Sequence, residues 1–191
     1  MIHWIQGSKN KTISRYIECY WFIEKVANSN SHAFPKLNPD PSCHLILSPP
    51  KQAYQYDIQG DFACGAGCHW LFPHHQTIEL DHQKPFVHLG IKFHVGALYA
   101  LKRDHNASDN MDCVEGLNPF SLFGSVPVNE QTLINMARHG PDNCCDALDQ
   151  LLLPWLEEGK QDKHSELVRR VLPLLAEHNI SSLGDILHCS Q

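Results

Sequence analysis

No stretch of this sequence approaches the ~18 consecutive apolar residues that cross a membrane as a helix. The opening residues, Met1-Ile2-His3-Trp4-Ile5-Gln6-Gly7, offer no positive region followed by an uninterrupted apolar run, so no secretory leader is expected. Basic residues are scarce as well. Fifteen Lys and Arg stand against 21 Asp and Glu, a formal charge of −6 with histidines neutral. Binding to DNA needs cations that displace counterions from phosphates, and only Lys9–Lys11, Lys102–Arg103 and Arg169–Arg170 form clusters. The chain is not expected to bind nucleic acid alone. Also missing are a Gly-x-Ser-x-Gly elbow, a phosphate loop, a dinucleotide fingerprint and any internal repeat. Catalysis has no positive support, and neither a cofactor nor an enzyme activity is expected.

What is present suits a folded core. Of 191 residues, 42% are apolar and 19% charged, ordinary for a globular domain and enough for one core plus an appendage. Eight cysteines without a leader suggest free thiols in a reducing cytoplasm. Fourteen histidines are unusual and would soften the negative charge below pH ~6.5.

The texture changes near residue 125. Before it, short apolar runs alternate with Pro, Gly and Asn breaks and read as mainly strand. Thr12–Ile23 begins with helical spacing and then becomes the bulky run Tyr20-Trp21-Phe22-Ile23, which suits a strand. His44–Leu47, Tyr54–Ile58 and Gln76–Leu80 read as strands, with Gly65 and Gly67 breaking the chain between them. The clearest strand is Phe86–His94. Val87, Leu89, Ile91 and Phe93 share one face, and Phe86, His88, Lys92 and His94 the other. Beyond residue 125, Asn129 caps a helix at Glu130–His139 that Gly140 ends, and a second helix covers about Asn143–Glu158. A third spans about Lys163–His178, with a stripe of Leu167, Val171, Leu174 and Leu175. The fold class is α+β: a small β-barrel or sandwich followed by a C-terminal helical segment.

Several residues carry competing readings. Cys64-x3-Cys68-His69, with His74 and His75, has soft ligands suited to zinc, yet it equally fits a Gly-rich turn with buried thiols and exposed histidines, and no metal is expected. His88, Lys92 and His94 either line a polar pocket or face solvent, solvent being the simpler explanation. Trp70 and Phe72 are a pocket wall or core. Cys144-Cys145 begin a helix whose dipole favours a thiolate, but Asp142 and Asp146 oppose it. The apolar girth of Asn143–Glu158 exceeds one stripe, so Leu148, Leu151, Leu152 and Trp155 pack either on the same chain or in a two-fold dimer.

The ordered motifs Tyr16-Ile17-Glu18-Cys19-Tyr20-Trp21-Phe22, Asn38-Pro39-Asp40 before Cys43–Leu47, and Leu89-Gly90-Ile91-Lys92-Phe93-His94-Val95-Gly96-Ala97 resemble the sensor region of AraC-type transcription regulators. Glu166–His178 followed by Ile180–Ser190 resembles the opening of that family's helix-turn-helix domain. The resemblance implies a cupin-like β-rich effector-sensing domain in residues 1–125, dimerisation or linker helices in 126–160, and the first helices of a truncated DNA-binding domain in 161–191. It further implies a small-molecule effector, a homodimer formed through Leu148, Leu151, Leu152 and Trp155, and DNA contact only through a recognition helix beyond Ser190. The rival is a metal-dependent cupin-like enzyme using the cysteines and histidines of residues 64–94, for which His75 and Glu79 loosely resemble the cupin metal motif.

Overall fold

The computed structural model describes residues 2–27, 29, 32–101, 110–118, 129–157, 167–168 and 170–172. Its strands are β1 (Ile2–Gln6), β2 (Ile17–Lys25), β3 (Lys36–Leu37), β4 (His44–Leu47), β5 (Tyr54–Ile58), β6 (Asp61–Gly65), β7 (Cys68–Leu71), β8 (Ile78–Leu80), β9 (Phe86–Phe93) and β10 (Val114–Gly116). Helices α1 (Ala97–Ala100), α2 (Glu130–His139) and α3 (Pro141–Glu157) follow β9 and β10. Among the described residues the strands form two antiparallel sheets, a six-stranded one in the order β1-β2-β9-β4-β7-β10 and a four-stranded one in the order β3-β8-β5-β6. The α+β class holds.

Alternation along β9 sets the layering. Val87, Leu89, Ile91 and Phe93 enter a core shared with Leu133, Ile134 and Ala137 of α2 and Leu148, Leu152, Trp155 and Leu156 of α3. Phe86, on the other face, joins a second core with Ile46 and Leu71, packed against Tyr54, Tyr56, Ile58 and Ile78 of the small sheet. The large sheet is therefore covered on both faces, by helices on one and by the small sheet on the other. Two-sided burial explains why β7 and most of β9 are buried throughout their length.

Asn129 caps α2 through its side chain, which accepts from the Thr132 N–H, and Gly140 ends it with φ +131°, a conformation costly for other residues. The second helix begins two residues earlier than its spacing predicts, at Pro141, where a missing N–H costs nothing. Pro154 lies inside it on an exposed side, so water can take up the carbonyl that Pro154 leaves without a donor.

The helical beginning expected at Thr12 is only a 3-10 turn, Ile13–Arg15, because Ile17, Tyr20 and Phe22 must alternate into the sheet. Strands β1, β3, β6, β7 and β10 are not among those the sequence pattern predicts. Gly65 and Gly67 break the chain only locally and leave strands on both sides. Of the third expected helix, residues 167–168 and 170–172 are helical. The rest of it, and the helix-turn-helix opening in 173–191, lie outside the described residues.

Candidate functional site between the two sheets

The face of the large sheet turned toward the small one carries a row of side chains set by strand register. Trp21 on β2 pairs with Gly90 on β9, Gly90 with Ile46 on β4, and Ile46 with His69 on β7. Gly90 is what lets the row close. A Cβ there would stand 1.9 Å from Trp21 Cε2, so the indole occupies the space above the glycine. From β2 it reaches across β9 to β4, where Trp21 Nε1 donates to His44 Nδ1 at 3.2 Å.

That hydrogen bond fixes a tautomer. An indole N–H can only donate, so Nδ1 of His44 accepts and Nε2 carries the proton. Nε2 faces Asp40 Oδ2 at 3.3 Å. Asp40 also accepts from the Ser42 N–H at 2.8 Å and pairs with Lys92 at 3.2 Å, whose ammonium meets Glu18 at 3.2 Å. Burial raises the Asp40 carboxyl, but the His44 and Ser42 hydrogen bonds and the Lys92 charge outweigh it and hold the group well below the usual carboxylate range. Burial works against the Lys92 ammonium, and its carboxylate partners raise it above the usual value.

Beside this charged chain lies an uncharged cluster. His69 and His88 are 0% and 4% exposed. Tyr54 stands edge-on to His88 at 4.4 Å between ring centres and touches Tyr56, His82 and Phe86. His69 Nδ1 lies 3.2 Å from the Gly67 carbonyl and Nε2 lies 2.9 Å from the Tyr56 hydroxyl. A carbonyl only accepts, so Nδ1 holds the proton and Tyr56 donates to Nε2. Gly65 makes room for that ring, since a Cβ there would meet His69 Nε2 at 2.4 Å. Desolvation lowers His69 to about 4, and desolvation with the neighbouring His69 and His82 lowers His88 to about 3. His82, lowered to about 4 by desolvation and then Lys25, is the third member. Neither His88 Nε2 nor His82 Nδ1 has a hydrogen-bond partner.

An open cleft of about 210 Å³ adjoins the cluster at the edge of the small sheet. Tyr54 and Phe86 form its inner wall, with Phe62, Cys64, Asp81 and Lys84 around it. The cleft suits a small molecule that stacks on Tyr54, Phe62 or Phe86 and pairs with the polar groups of Asp81 or Lys84.

The opposite face of β2 grips the helices. Tyr20 Oη donates to Asp149 Oδ1 at 2.6 Å and Ser8 Oγ to Asp149 Oδ2 at 2.8 Å. Trp4 Nε1 donates to the Ala137 carbonyl at 2.9 Å, and Arg138 pairs with Glu24 at 2.7 Å. Burial and then the Asp149 hydrogen bond push the Tyr20 phenol far above its ordinary value.

The residues singled out in the sequence fall as follows. Cys64 is exposed on β6, while Cys68 and His69 are adjacent on β7 and so point to opposite faces, Cys68 to the helix side. His74 is buried, and His75 is exposed and bonded to Asp112. The Cys64, Cys68, His69, His74 and His75 set is thus not gathered. Among the described residues no three His, Cys, Asp or Glu side chains are arranged to hold a metal. Two expectations need correcting. His69 and His74 are buried rather than exposed, and His88 faces the small sheet rather than solvent, because that sheet covers the polar face of β9. Trp70 and Phe72 belong to the core. Burial pushes Cys144 and Cys145 up to about 12, overriding any helix-terminus effect. Leu148, Leu152 and Trp155 are buried at 0%, 0% and 7% in the chain's own core, and Leu151 is half-buried against it. Intramolecular packing absorbs the apolar girth of α3.

Sequence reasoning had not assigned Asp40, His44, Tyr54, Tyr56 or His82 to a site. The alternation of Tyr54 and Tyr56 was a usable signal. The pairing of His44 with Trp21 was not, because it depends on which strands become neighbours.

Residues 10–112 match DUF6597, a domain of unknown function. The chain belongs to the DUF6597 family. The matched residues span β2 through β9 and so include every member of the inter-sheet face described above. Helices α2 and α3 lie beyond the DUF6597 match. A comparison with curated proteins found no match. No helix among the described residues is long and apolar enough to cross a membrane.

Proposed function

We propose that this DUF6597 chain is the effector-sensing part of an AraC-type transcription regulator, with a small molecule held in the cleft that adjoins the face between the two sheets. The observation that carries the reading is the composition of that cleft. Tyr54 and Phe86, which pack against the His82 and His88 rings, form the inner wall of a cleft of about 210 Å³, the kind of setting in which small ligands are recognised. The ordered sequence motifs of residues 16–22, 38–47 and 89–97, all within the DUF6597 match, support it. The net charge of −6 leaves these residues poorly suited to contact DNA themselves, so the proposal assigns them sensing and not DNA reading.

The regulator reading includes a homodimer. Leu148, Leu152 and Trp155 have little surface to offer a second copy, so of the four expected residues Leu151 is the one with area available. The response follows from β2, whose Trp21 meets the inter-sheet face while Tyr20 holds Asp149 of α3. A ligand that binds differently to two positions of β2 would shift the helices by that difference in affinity.

Thermal unfolding across a panel of small uncharged and aromatic metabolites tests the sensing claim. A bound effector raises the melting temperature by mass action, by about 2.7 kcal/mol of stability at a hundredfold excess over Kd. That shift should disappear in Phe62→Ala, which removes an exposed wall of the cleft. A panel with no stabilising member, or stabilisation unaffected by Phe62→Ala, would remove the support. The metal-dependent enzyme alternative has no observation in its favour among the described residues, where no three His, Cys, Asp or Glu side chains are arranged to hold a metal.

A further inference from the structure

The buried histidines are distributed unevenly. His69, His74, His82 and His88 are the buried histidines among the described residues, and none belongs to the core shared by the large sheet and the helices. His69 and His88 project from the large sheet into its contact with the small one, and His82 stands in the connection from β8 to β9. The small sheet is held to the large one through this cluster.

We infer that the small sheet is an acid-releasable cover: protonation of His69 and His88 detaches it from the large sheet while α2 and α3 stay docked on the other face. This rests on the geometry of the cluster and not on the regulator reading.

Three observations carry it. First, the His69 ring is already fully engaged as a neutral group, with Nδ1 on the Gly67 carbonyl and Nε2 on the Tyr56 hydroxyl. A second proton at Nε2 would force the Tyr56 hydroxyl to give up its bond as donor and turn to accept, and Gly65 lies too close behind the ring for it to shift freely. Second, His88 Nε2 has no partner, and the ring is wedged against Tyr54, Phe86 and His69. A cation formed there has no acceptor.

Third, among the described residues no group beside the two rings compensates the charge. Tyr54 and Tyr56 face the pair from β5, and Cys64 is the titratable group on β6 that acts on Tyr56. From the β8–β9 connection come His82 and, beside it, Asp81, His32 and the Lys25 ammonium, which donates to the His82 carbonyl. Asp81 is the one carboxylate in this set, and it acts on His82 and Tyr54, not on His69 or His88. Burial therefore keeps both rings neutral, at about 4 and about 3 against an ordinary 6.5.

The sign follows from linkage. Each ring binds a proton more readily when released into water, so opening is favoured as pH falls below 6.5 and saturates near the folded values. Between pH 7.5 and 5.5 each ring changes the opening equilibrium by about tenfold, and the pair by about a hundredfold. Native-state hydrogen exchange read strand by strand tests this. Protection factors, corrected for the intrinsic rate, should fall about a hundredfold in β5, β6 and β8 over that interval, while those in α2 and α3 change little. His88→Phe should reduce the fall to about tenfold. Should that variant not fold, an NMR titration of the wild-type imidazoles serves instead, with both rings expected to stay neutral at pH 5.5 in the closed state. Uniform loss of protection across sheets and helices, no loss at all, or imidazoles titrating near 6.5 would each overturn the proposal.

Discussion

Trp21 lies over Gly90. The indole fills the volume in which any side chain at position 90 would sit, with a Cβ placed 1.9 Å from Trp21 Cε2, and in doing so it links β2 to His44 on β4 across the intervening strand. One glycine thereby holds three strands and the charged chain from Glu18 to His44 in a single arrangement.

Gly90→Ala should displace that indole. Forcing even a methyl group into a filled core costs about 1–3 kcal/mol, and the displaced Trp21 would also lose its bond to His44. Urea unfolding should show the loss at constant m-value, with a red-shifted tryptophan emission. A variant as stable as the wild type would mean that the indole is not seated against this strand.

The hydroxyl of Tyr20 ties α3 to the sheet. Tyr20→Phe keeps the ring and leaves Asp149 with Ser8 as its remaining side-chain donor. A hydrogen bond to a charged group contributes about 1.5–3 kcal/mol, so a loss of that size is expected in denaturant unfolding. In hydrogen exchange the weakening should centre on α3 and spare the small sheet.

Asp40 gives an acid-side signature distinct from the histidines. Its carboxyl is held below the unfolded value by its partners, so its contribution is present above pH ~4 and fades as pH falls through the lower folded value. The stability difference between wild type and Asp40→Asn should be constant from pH 8 to 5 and shrink toward pH 3. Comparing urea midpoints of the two proteins at each pH removes the shared histidine contribution. A difference that grows on acidification would contradict the Asp40–His44–Lys92 assignment.

Thiol reactivity should be graded by burial. Cys64 is exposed, whereas Cys68, Cys144 and Cys145 are pushed up to about 12 and Cys43 is raised well above its ordinary value, with burial the leading cause in each. The thiolate is the reactive form. With iodoacetamide at pH 8, mass spectrometry should find Cys64 modified well before these four, and denaturant should abolish the difference. Early modification of Cys144 or Cys145 would mean that α3 leaves the sheet readily.

The alternation of Val87, Leu89, Ile91 and Phe93, the capping of α2 by Asn129 and its end at Gly140 were determined by the sequence alone, because each rests on interactions within a few residues. So was the polar character of the other face of β9. What covers that face was decided by the tertiary structure. His88 reads as a solvated residue until the small sheet is known to lie over it, and the girth of α3 reads as either a same-chain or a dimer surface until Leu148, Leu152 and Trp155 are seen to pack on the large sheet, which leaves Leu151 for a second copy. Cys68 and His69 are neighbours in sequence, and only strand geometry shows that they take opposite faces. The site's contacts between Trp21 and His44, or between Tyr56 and His69, join segments whose adjacency depends on strand order. A period-two pattern specifies which side of a strand a residue takes, and leaves open which strand lies beside it or which layer closes above it.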